Sequence, residues 1–293
     1  MKRVILTPNP YRDKDFQTVR TAMGILRDAG VETKVCLPFD VDKSFELPKD
    51  IRFHRLDREI HNAELVICFG GDGTILHMAK TATRKNVPIL GVNIGTLGFM
   101  AELESTELNL LAKLAKDEYT LDKRMMIDVV VQRDRDIIFH DIGLNDVVIT
   151  KGAVARIAYL QVKCDGVEAM QCGGDGVIIA TPTGSTAYSL SAGGPIVEPE
   201  ARNILITPIC AHDVMSRCIV ASDKRTITVE LVQNARRNAY LSVDGGKSLR
   251  LNMGDVVTVK KSNLETKLIR LKERSFYDVV NMKFMKIRKR EWQ

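Results

Sequence analysis

The chain has no Cys-x-x-Cys pair, no His-Glu-x-x-His and no cysteine-histidine cluster, so neither a zinc site nor a dithiol redox centre is written into it. Its six cysteines, at 36, 68, 164, 172, 210 and 218, stand apart, four of them in apolar or strand-like runs. They read as small buried hydrophobes in a reducing compartment. Five scattered histidines give no support to a histidine-centred mechanism. Also missing are Gly-x-x-x-x-Gly-Lys-Ser/Thr and a Gly-x-Gly-x-x-Gly following a strand, which excludes the usual purine-nucleotide loops. Aromatic residues are only 5% of the chain and do not interleave with basic ones, so nucleic acid is not an expected partner. The longest mostly apolar run, residues 87–101, contains Asn93, Thr96 and several glycines and is too short to span a bilayer. No signal-peptide core follows Met1-Lys2-Arg3, and the expectation is a cytoplasmic protein with no membrane partner.

What is present is the composition of a globular protein, 45% hydrophobic and 27% charged over 293 residues, enough for one large or two medium domains. The net charge of +6 sits partly in the tail Lys283-Phe284-Met285-Lys286-Ile287-Arg288-Lys289-Arg290. So small an excess reads as a solvated surface that tolerates phosphorylated ligands.

The first part of the chain alternates strand and helix signals. Residues 4–6, 34–37, 65–69 and 89–92 read as strands, the third so uniformly apolar that both its faces must be covered. Phe16, Val19, Met23 and Leu26 recur at helical spacing up to Gly30, a helix can begin at Thr74, and Leu108, Leu111 and Leu114 mark another that starts near Ser105 or Thr106. This pattern predicts an open, mostly parallel α/β sheet over residues 1–120. Beyond Tyr119 come short strand candidates at 126–131, 137–139, 147–150, 155–162, 177–180, 204–208, 226–231, 240–243 and 256–260, separated by turn signals. A β-rich second domain over 121–265 follows. Phe276, Val280, Phe284 and Ile287 are spaced for one helical face, and the segment 266–293 is expected to return to the first domain.

Two glycine-rich stretches carry the chemistry. In Gly70-Gly71-Asp72-Gly73-Thr74 a strand ends in residues that turn tightly and bring N–H groups close to phosphate, at the carboxyl end of the strand where open sheets place ligands. The Asp72 carboxylate needs its own reason there. It either helps to hold Mg²⁺, directly or through water, or accepts a proton from an attacking alcohol. The same residues can form a plain tight turn, but the strand before and the helix after favour a ligand loop. His77, on that helix, reads as packing rather than ligand. His212, beside Asp213, suits a site mouth and a capped loop equally.

The second stretch, Thr181-Pro182-Thr183-Gly184-Ser185-Thr186-Ala187-Tyr188, offers hydroxyls ahead of a helix start, with Tyr188 able to pack on a base. Asn145-Asp146 opens a strand with an amide and a carboxylate that suit ribose hydroxyls or adenine edges, though the pair is also an ordinary strand start.

Together these stretches resemble the ATP-dependent NAD kinases along nearly the whole chain. The likeness extends through Asn9-Pro10, Asn93-Ile94-Gly95 to Gly98-Phe99, Gly174-Asp175-Gly176, the run 181–195 and Ser242-Val243-Asp244-Gly245. The Gly-Gly-Asp-Gly motif is shared with diacylglycerol-type and sphingosine kinases and related phosphofructokinases, whereas the threonine-proline run is far more specific. The resemblance implies the NAD kinase/diacylglycerol kinase-like fold and transfer of the ATP γ-phosphoryl to the 2′-hydroxyl of the NAD adenosine ribose, with Mg²⁺ or another divalent cation. Carried over by position, Asp72 is the essential aspartate, Gly71 and Gly73 belong to the phosphate loop, and Asn145, Asp146, Asp175, Thr186, Ala187 and Tyr188 contact NAD; the hydroxyls of Thr183 and Ser185, read from the residues themselves, are expected to help hold the nucleotide. It also implies a homodimer or homotetramer.

Three departures stand out. Asp146 takes the place of a usual Glu, which leaves direct and water-mediated ribose contacts both open. Ala180 replaces a common Ser, and Ala211 and Cys218 stand where proline is common. Other readings of the residues are a lipid or sugar kinase, which would need an apolar groove or sugar pocket, and a non-catalytic NAD sensor, which would tolerate loss of Asp72.

Overall fold

Strand-helix alternation in the first third of the chain does produce a parallel sheet. A computed structural model describes residues 1–42, 44–95, 98–152, 157–212, 216–232 and 239–291, with the backbone alone over 284–291. The chain divides into two units, residues 1–123 with 266–293, and residues 124–265.

In the first unit β1 (Arg3–Pro8), β2 (Glu32–Cys36), β3 (Phe53–His54), β4 (Leu65–Gly70) and β5 (Ile89–Asn93) pair in the order β3-β2-β1-β4-β5, every pair parallel. The short β6 (Leu103–Glu104) adds to β5. All six residues of β4 are buried, as its unbroken apolar run requires. Helix α1 (Gln17–Asp28) buries Val19, Ala22 and Leu26. It starts later than the apolar spacing predicts because Asp15 and Phe16 take left-handed backbone, at φ 52° and 56°. The buried Asp13 accepts the N–H groups of Thr18 and Val19, at 2.9 and 3.0 Å, and so satisfies two orphan donors of the first turn. A single turn, α2 (Leu56–Glu59), precedes β4, and α3 (Asp72–Arg84) follows it.

The helix expected at Thr74 therefore begins two residues earlier. Glycine is a poor helix former, so Gly73 reads as loop, but the amides of a first turn need no internal partner and a first-turn aspartate complements the helix dipole. Residues Ser105–Lys116 form a 3₁₀ segment with Leu108, Leu111 and Leu114 buried. It is capped by Glu104, not by Ser105 or Thr106: Glu107 Oε2 accepts the Glu104 N–H at 2.9 Å in a capping box.

The second unit is built from most of β7 (Thr120–Arg133), β8 (Asp136–Gly143), β9 (Asp146–Lys151), β10 (Ala158–Cys164), β11 (Val167–Gly174), β12 (Gly176–Ala180), β13 (Asn203–Ile209), β14 (Ile219–Ser222), β15 (Ile227–Leu231), β16 (Ala239–Val243), β17 (Leu249–Leu251) and most of β18 (Val256–Arg270), the first residues of β7 and the last of β18 belonging to the first unit. The order β14-β13-β12-β9-β16-β17 makes one antiparallel sheet, and β11-β10-β15-β18 pair antiparallel beside the β7-β8 hairpin. Residues 155–156 of the expected strand 155–162 lie outside the described residues. Only a single turn, α4 (Tyr188–Ser191), interrupts the strands.

The C-terminal helix α5 (Phe276–Glu291) belongs to the first unit, and the side chains of Phe284 and Ile287 lie outside the described residues. Each unit has its own core. Leu6, Leu26, Leu65, Phe69 and Leu111 are among the residues filling the first, and Ile127, Val147, Leu160, Ile179 and Leu241 among those filling the second. Among the described residues no helix is long and apolar enough to cross a membrane. All six cysteines are free: Cys36, Cys68 and Cys172 are buried, Cys164 and Cys218 half-buried, and Cys210 exposed. Burial pushes the Cys36 and Cys68 thiols up to about 12, which keeps them unreactive.

Candidate active site

The phosphate-type loop lies where β4 ends. Gly71 caps α3 and Asp72 is its first residue. The half-buried Asp72 carboxylate reaches sideways to the second glycine loop, accepting the N–H of Phe99 at 2.7 Å and of Met100 at 3.0 Å. A Cβ on Gly98 would collide with that carboxylate, so only glycine lets the two loops close on each other. Residues 96–97 of the second loop lie outside the described residues.

The turn after β1 is tied to the same place. Asn9 donates its backbone N–H to Phe69 at 2.8 Å and its side-chain amide to Thr74 Oγ1 at 3.1 Å, while its carbonyl accepts the Arg12 N–H at 3.0 Å. A cavity of about 390 Å³ opens there, lined by Asn9, Arg12, Asp72, Thr74, His77 and Lys283 among others. His77 both lines it and packs, its ring 5.3 Å from that of Phe39.

In the second unit Asn145 and Asp146 stand at the entrance to β9. Asp244 pins them: its carboxylate accepts the N–H groups of Leu144, Asn145 and Asp146 at 2.8, 2.8 and 3.1 Å, and its own N–H returns to the Asp146 carbonyl at 2.9 Å. Among the described residues the buried Oδ1 of Asn145 meets no donor, as is also true of Asn93 and Asn203. Asp146 is only 5% exposed, and burial first, then the Asp244 charge, pushes its carboxyl up to about 7.

The threonine-proline run folds onto this strand entrance. Thr181 joins the ends of β9 and β12, its hydroxyl donating to the Leu144 carbonyl at 2.5 Å and accepting the Gly184 N–H at 3.0 Å. A Cβ on Gly184 would strike the Asn145 carbonyl, so the turn needs glycine at this close approach. The three hydroxyls expected to face a nucleotide differ in what they are free to do. Ser185 is fully buried, donates to the Val197 carbonyl at 3.2 Å and accepts the Val197 N–H at 3.1 Å, so it positions the turn. Thr183 accepts from Arg124 at 3.4 Å, and Thr186 donates to the Thr183 carbonyl at 3.3 Å. Tyr188 is 44% exposed, with its ring available for stacking. Asp175, before β12, is paired with Lys151 at 2.5 Å.

Sequence reasoning gave no role to Arg12, Lys283, Thr181 or Asp244. The last two sit in quoted motifs, and only the fold shows that they act on neighbouring backbone. A larger cavity of about 490 Å³ in the second unit, bordered by Pro208, Ala211, His212, Arg217 and Cys218, holds none of the expected site residues. His212 is exposed at its edge and donates its backbone N–H to Gly173 at 2.8 Å, while Asp213 lies outside the described residues.

Residues 8–119 match the ATP-NAD kinase N-terminal domain and residues 144–271 the ATP-NAD kinase C-terminal domain. The chain is 38% identical over 284 residues to an NAD kinase of Acetivibrio thermocellus, with 97% of each chain covered. To an NAD kinase of Caldanaerobacter subterraneus subsp. tengcongensis it is 39% identical over 286 residues, covering 97% of this chain and 99% of the relative. Among solved structures, yeast NADH kinase complexed with NADH shares the fold with a TM-score of 0.82 at 24% identity, over 96% of this chain and 86% of that one. The NAD kinase of Archaeoglobus fulgidus in complex with ATP gives 0.72 at 25% identity, over 94% and 95%. With its two domain matches, full-length relatives and a fold that sets a glycine-aspartate loop at a helix start, the chain belongs to the ATP-NAD kinase family, enzymes that phosphorylate NAD to NADP.

Proposed function

We propose that this chain moves the γ-phosphoryl of ATP onto the 2′-hydroxyl of the NAD adenosine ribose, with Asp72 as the residue that orients that hydroxyl and takes its proton. The observation that carries the reading is the placement of Asp72 in a cavity at the start of α3, its carboxylate held by two loop amides. An ionised carboxylate has about four lone-pair sites, so two remain to accept the ribose O–H. Fixing the acceptor in this way removes an orientational cost that the transfer would otherwise bear. The amides of Gly71 and Gly73, with the positive end of α3, face the donor phosphates and stabilise charge as it develops on the transferring group.

In the second unit we assign NAD contacts to Asn145, Asp146, Asp175, Thr183, Thr186, Ala187 and Tyr188. The unpartnered Oδ1 of Asn145 is the acceptor for an adenine or ribose donor, and Tyr188 stacks on a ring. Ser185 and Asp244 hold these groups in place without touching the nucleotide.

Among the described residues no group of three or more His, Cys, Asp or Glu is placed to cage a metal ion. Among the described residues Asp72 is the one carboxylate lining the cavity, and this donor set fits a divalent cation held mainly by the donor's phosphate oxygens. Such an ion, when bound, neutralises charge on the phosphates. The enzyme is proposed to work as a homodimer or homotetramer in the cytoplasm.

Incubating the protein with NAD and Mg-ATP and measuring NADP tests the reading, with lipids and sugar phosphates as competing acceptors. NADP as the phosphorylated product is expected. A folded protein that phosphorylates a lipid or sugar instead, or nothing at all, overturns it.

A further inference from the structure

Most cations of the first unit that come near its structural joints are spoken for. Arg270 holds Asp122 at 2.8 Å and Lys272 holds Glu107 at 2.7 Å. Arg12 and Lys283 differ: among the described residues neither has an ion-pair partner, and both line the cavity that contains Asp72. Arg12 is placed by the Asn9 turn, which is bonded to both β4 and α3. Its Nη1 lies 3.4 Å from where a side chain on Gly71 would begin and 3.6 Å from the same point on Gly95, so the guanidinium sits between the two glycine loops.

Lys283 arrives from α5, at the other end of the sequence. Its ammonium lies 4.1 Å from the centroid of the Phe99 ring, and Phe99 is also the residue whose N–H binds Asp72. The side chain is half-buried, and burial lowers its pKa while the Asp72 charge raises it. Among the described residues no carboxylate comes within ion-pair distance of this half-buried ammonium, and the Asp72 charge offsets only part of what burial costs it, so an arriving anion stabilises it further.

From this geometry we infer that Arg12 and Lys283 are the two cations that grip the terminal phosphates of the donor, Arg12 across the glycine loops and Lys283 beside Phe99. The inference rests on the kinase reading and extends it: the C-terminal helix delivers a residue that touches substrate. Arg offers a planar fork that can bind two phosphate oxygens at once, while Lys supplies a point charge, and the pair brackets a group whose negative charge is spread over several oxygens. The transfer keeps its balance. The bond from the ribose 2′-oxygen to the γ-phosphorus forms, the bond from that phosphorus to the β,γ-bridging oxygen breaks, the hydroxyl proton passes to Asp72, and ADP leaves with the electron pair.

Inorganic tripolyphosphate separates this role from a structural one, because it carries the phosphates without adenosine. In steady-state NADP formation, Arg12→Ala and Lys283→Met are each expected to raise the KM for ATP and the inhibition constant of tripolyphosphate together, by about 10- to 100-fold, the usual range for a charged hydrogen bond. The KM for NAD should stay within about threefold. Lys283→Arg, which keeps the charge and the ring contact, should hold both phosphate constants within about threefold of wild type. Lys283→Gln is measured beside Lys283→Met, and melting curves confirm that each variant is folded. Phosphate constants that move less than about threefold in the Arg12 and Lys283 truncations, or that move no more than the KM for NAD, would overturn the inference. A wild-type protein that makes no NADP would overturn the kinase reading instead, and the two failures are told apart in the same assay.

Discussion

A carboxylate removed from water beside a second carboxylate destabilises whatever structure contains it, and Asp146 is in that position next to Asp244. Its carboxyl, pushed up to about 7 from an unfolded value of 3.8, binds a proton in the folded chain over a range where the unfolded chain has lost it. Stability therefore falls as pH rises from about 4 to about 7, and the contribution of the protonated group is fully present only below that window. Replacing Asp146 with Asn removes the titration while keeping the size. The difference in Tm between Asp146→Asn and wild type is expected to grow in favour of the variant from pH 5 to pH 8, as followed by circular dichroism. A difference that does not change with pH would show that Asp146 does not titrate there. At this scale the sequence showed which residue types were available but not their neighbours. Asn145, Asp146 and Ser185 were all visible as hydrogen-bonding groups. That Ser185 spends its hydroxyl on Val197 and that Asp244 closes on Asn145 depends on contacts 12 and 99 residues apart in the chain, beyond any local pattern.

The element that organises the donor side is the strand-turn-helix of β4 and α3, closed by the second glycine loop through Asp72. Adding one methyl at Gly98 sets a Cβ against the Asp72 carboxylate, with the Phe99 and Met100 amides forced away. Gly98→Ala is expected to lower kcat by at least about tenfold and to cost about 1–3 kcal/mol in chemical denaturation, the usual range for overpacking. Activity and stability both equal to wild type would mean that the loop closure plays no part. A second glycine tests the NAD side. Gly184→Ala drives a Cβ into the Asn145 carbonyl and should raise the KM for NAD more than that for ATP, whereas equal changes in both would contradict the assignment of this turn to NAD. Most elements were legible because their apolar runs are strong: β4, β12 and most of β13 are continuous buried stretches. β11 was not, although Met170, Cys172 and Gly174 all point inward at period two, because Glu168, Gln171 and two glycines weaken its strand character. β3, β6, β14 and β17 have four residues or fewer, too short to set a period of their own.

For the whole molecule, the parallel first unit and the β-rich second one followed from the order of strand, helix and turn signals, since a chain that alternates strand and helix and then turns to short strands with Asp-Gly turns has few ways to fold. The last helix belongs with the first unit, where the sequence places segment 266–293; what no sequence pattern marks is that Lys283, in a tail read as solvated surface, lines the cavity of a loop some 200 residues earlier. Assembly is checked by light scattering, which should give two or four times the chain mass of 32.7 kDa, and a mass of one chain at assay concentration would refute the proposed oligomer. The most direct measurement is single-turnover transfer of ³²P from γ-labelled ATP to NAD by wild type and by Asp72→Asn, with the label located on the product ribose. Wild type should place it on the 2′-oxygen of the adenosine ribose. Asp72→Asn should transfer about 10²–10⁴ times more slowly while binding NAD within a few fold of wild type. Label anywhere else, or equal transfer rates in the two proteins, would contradict the account.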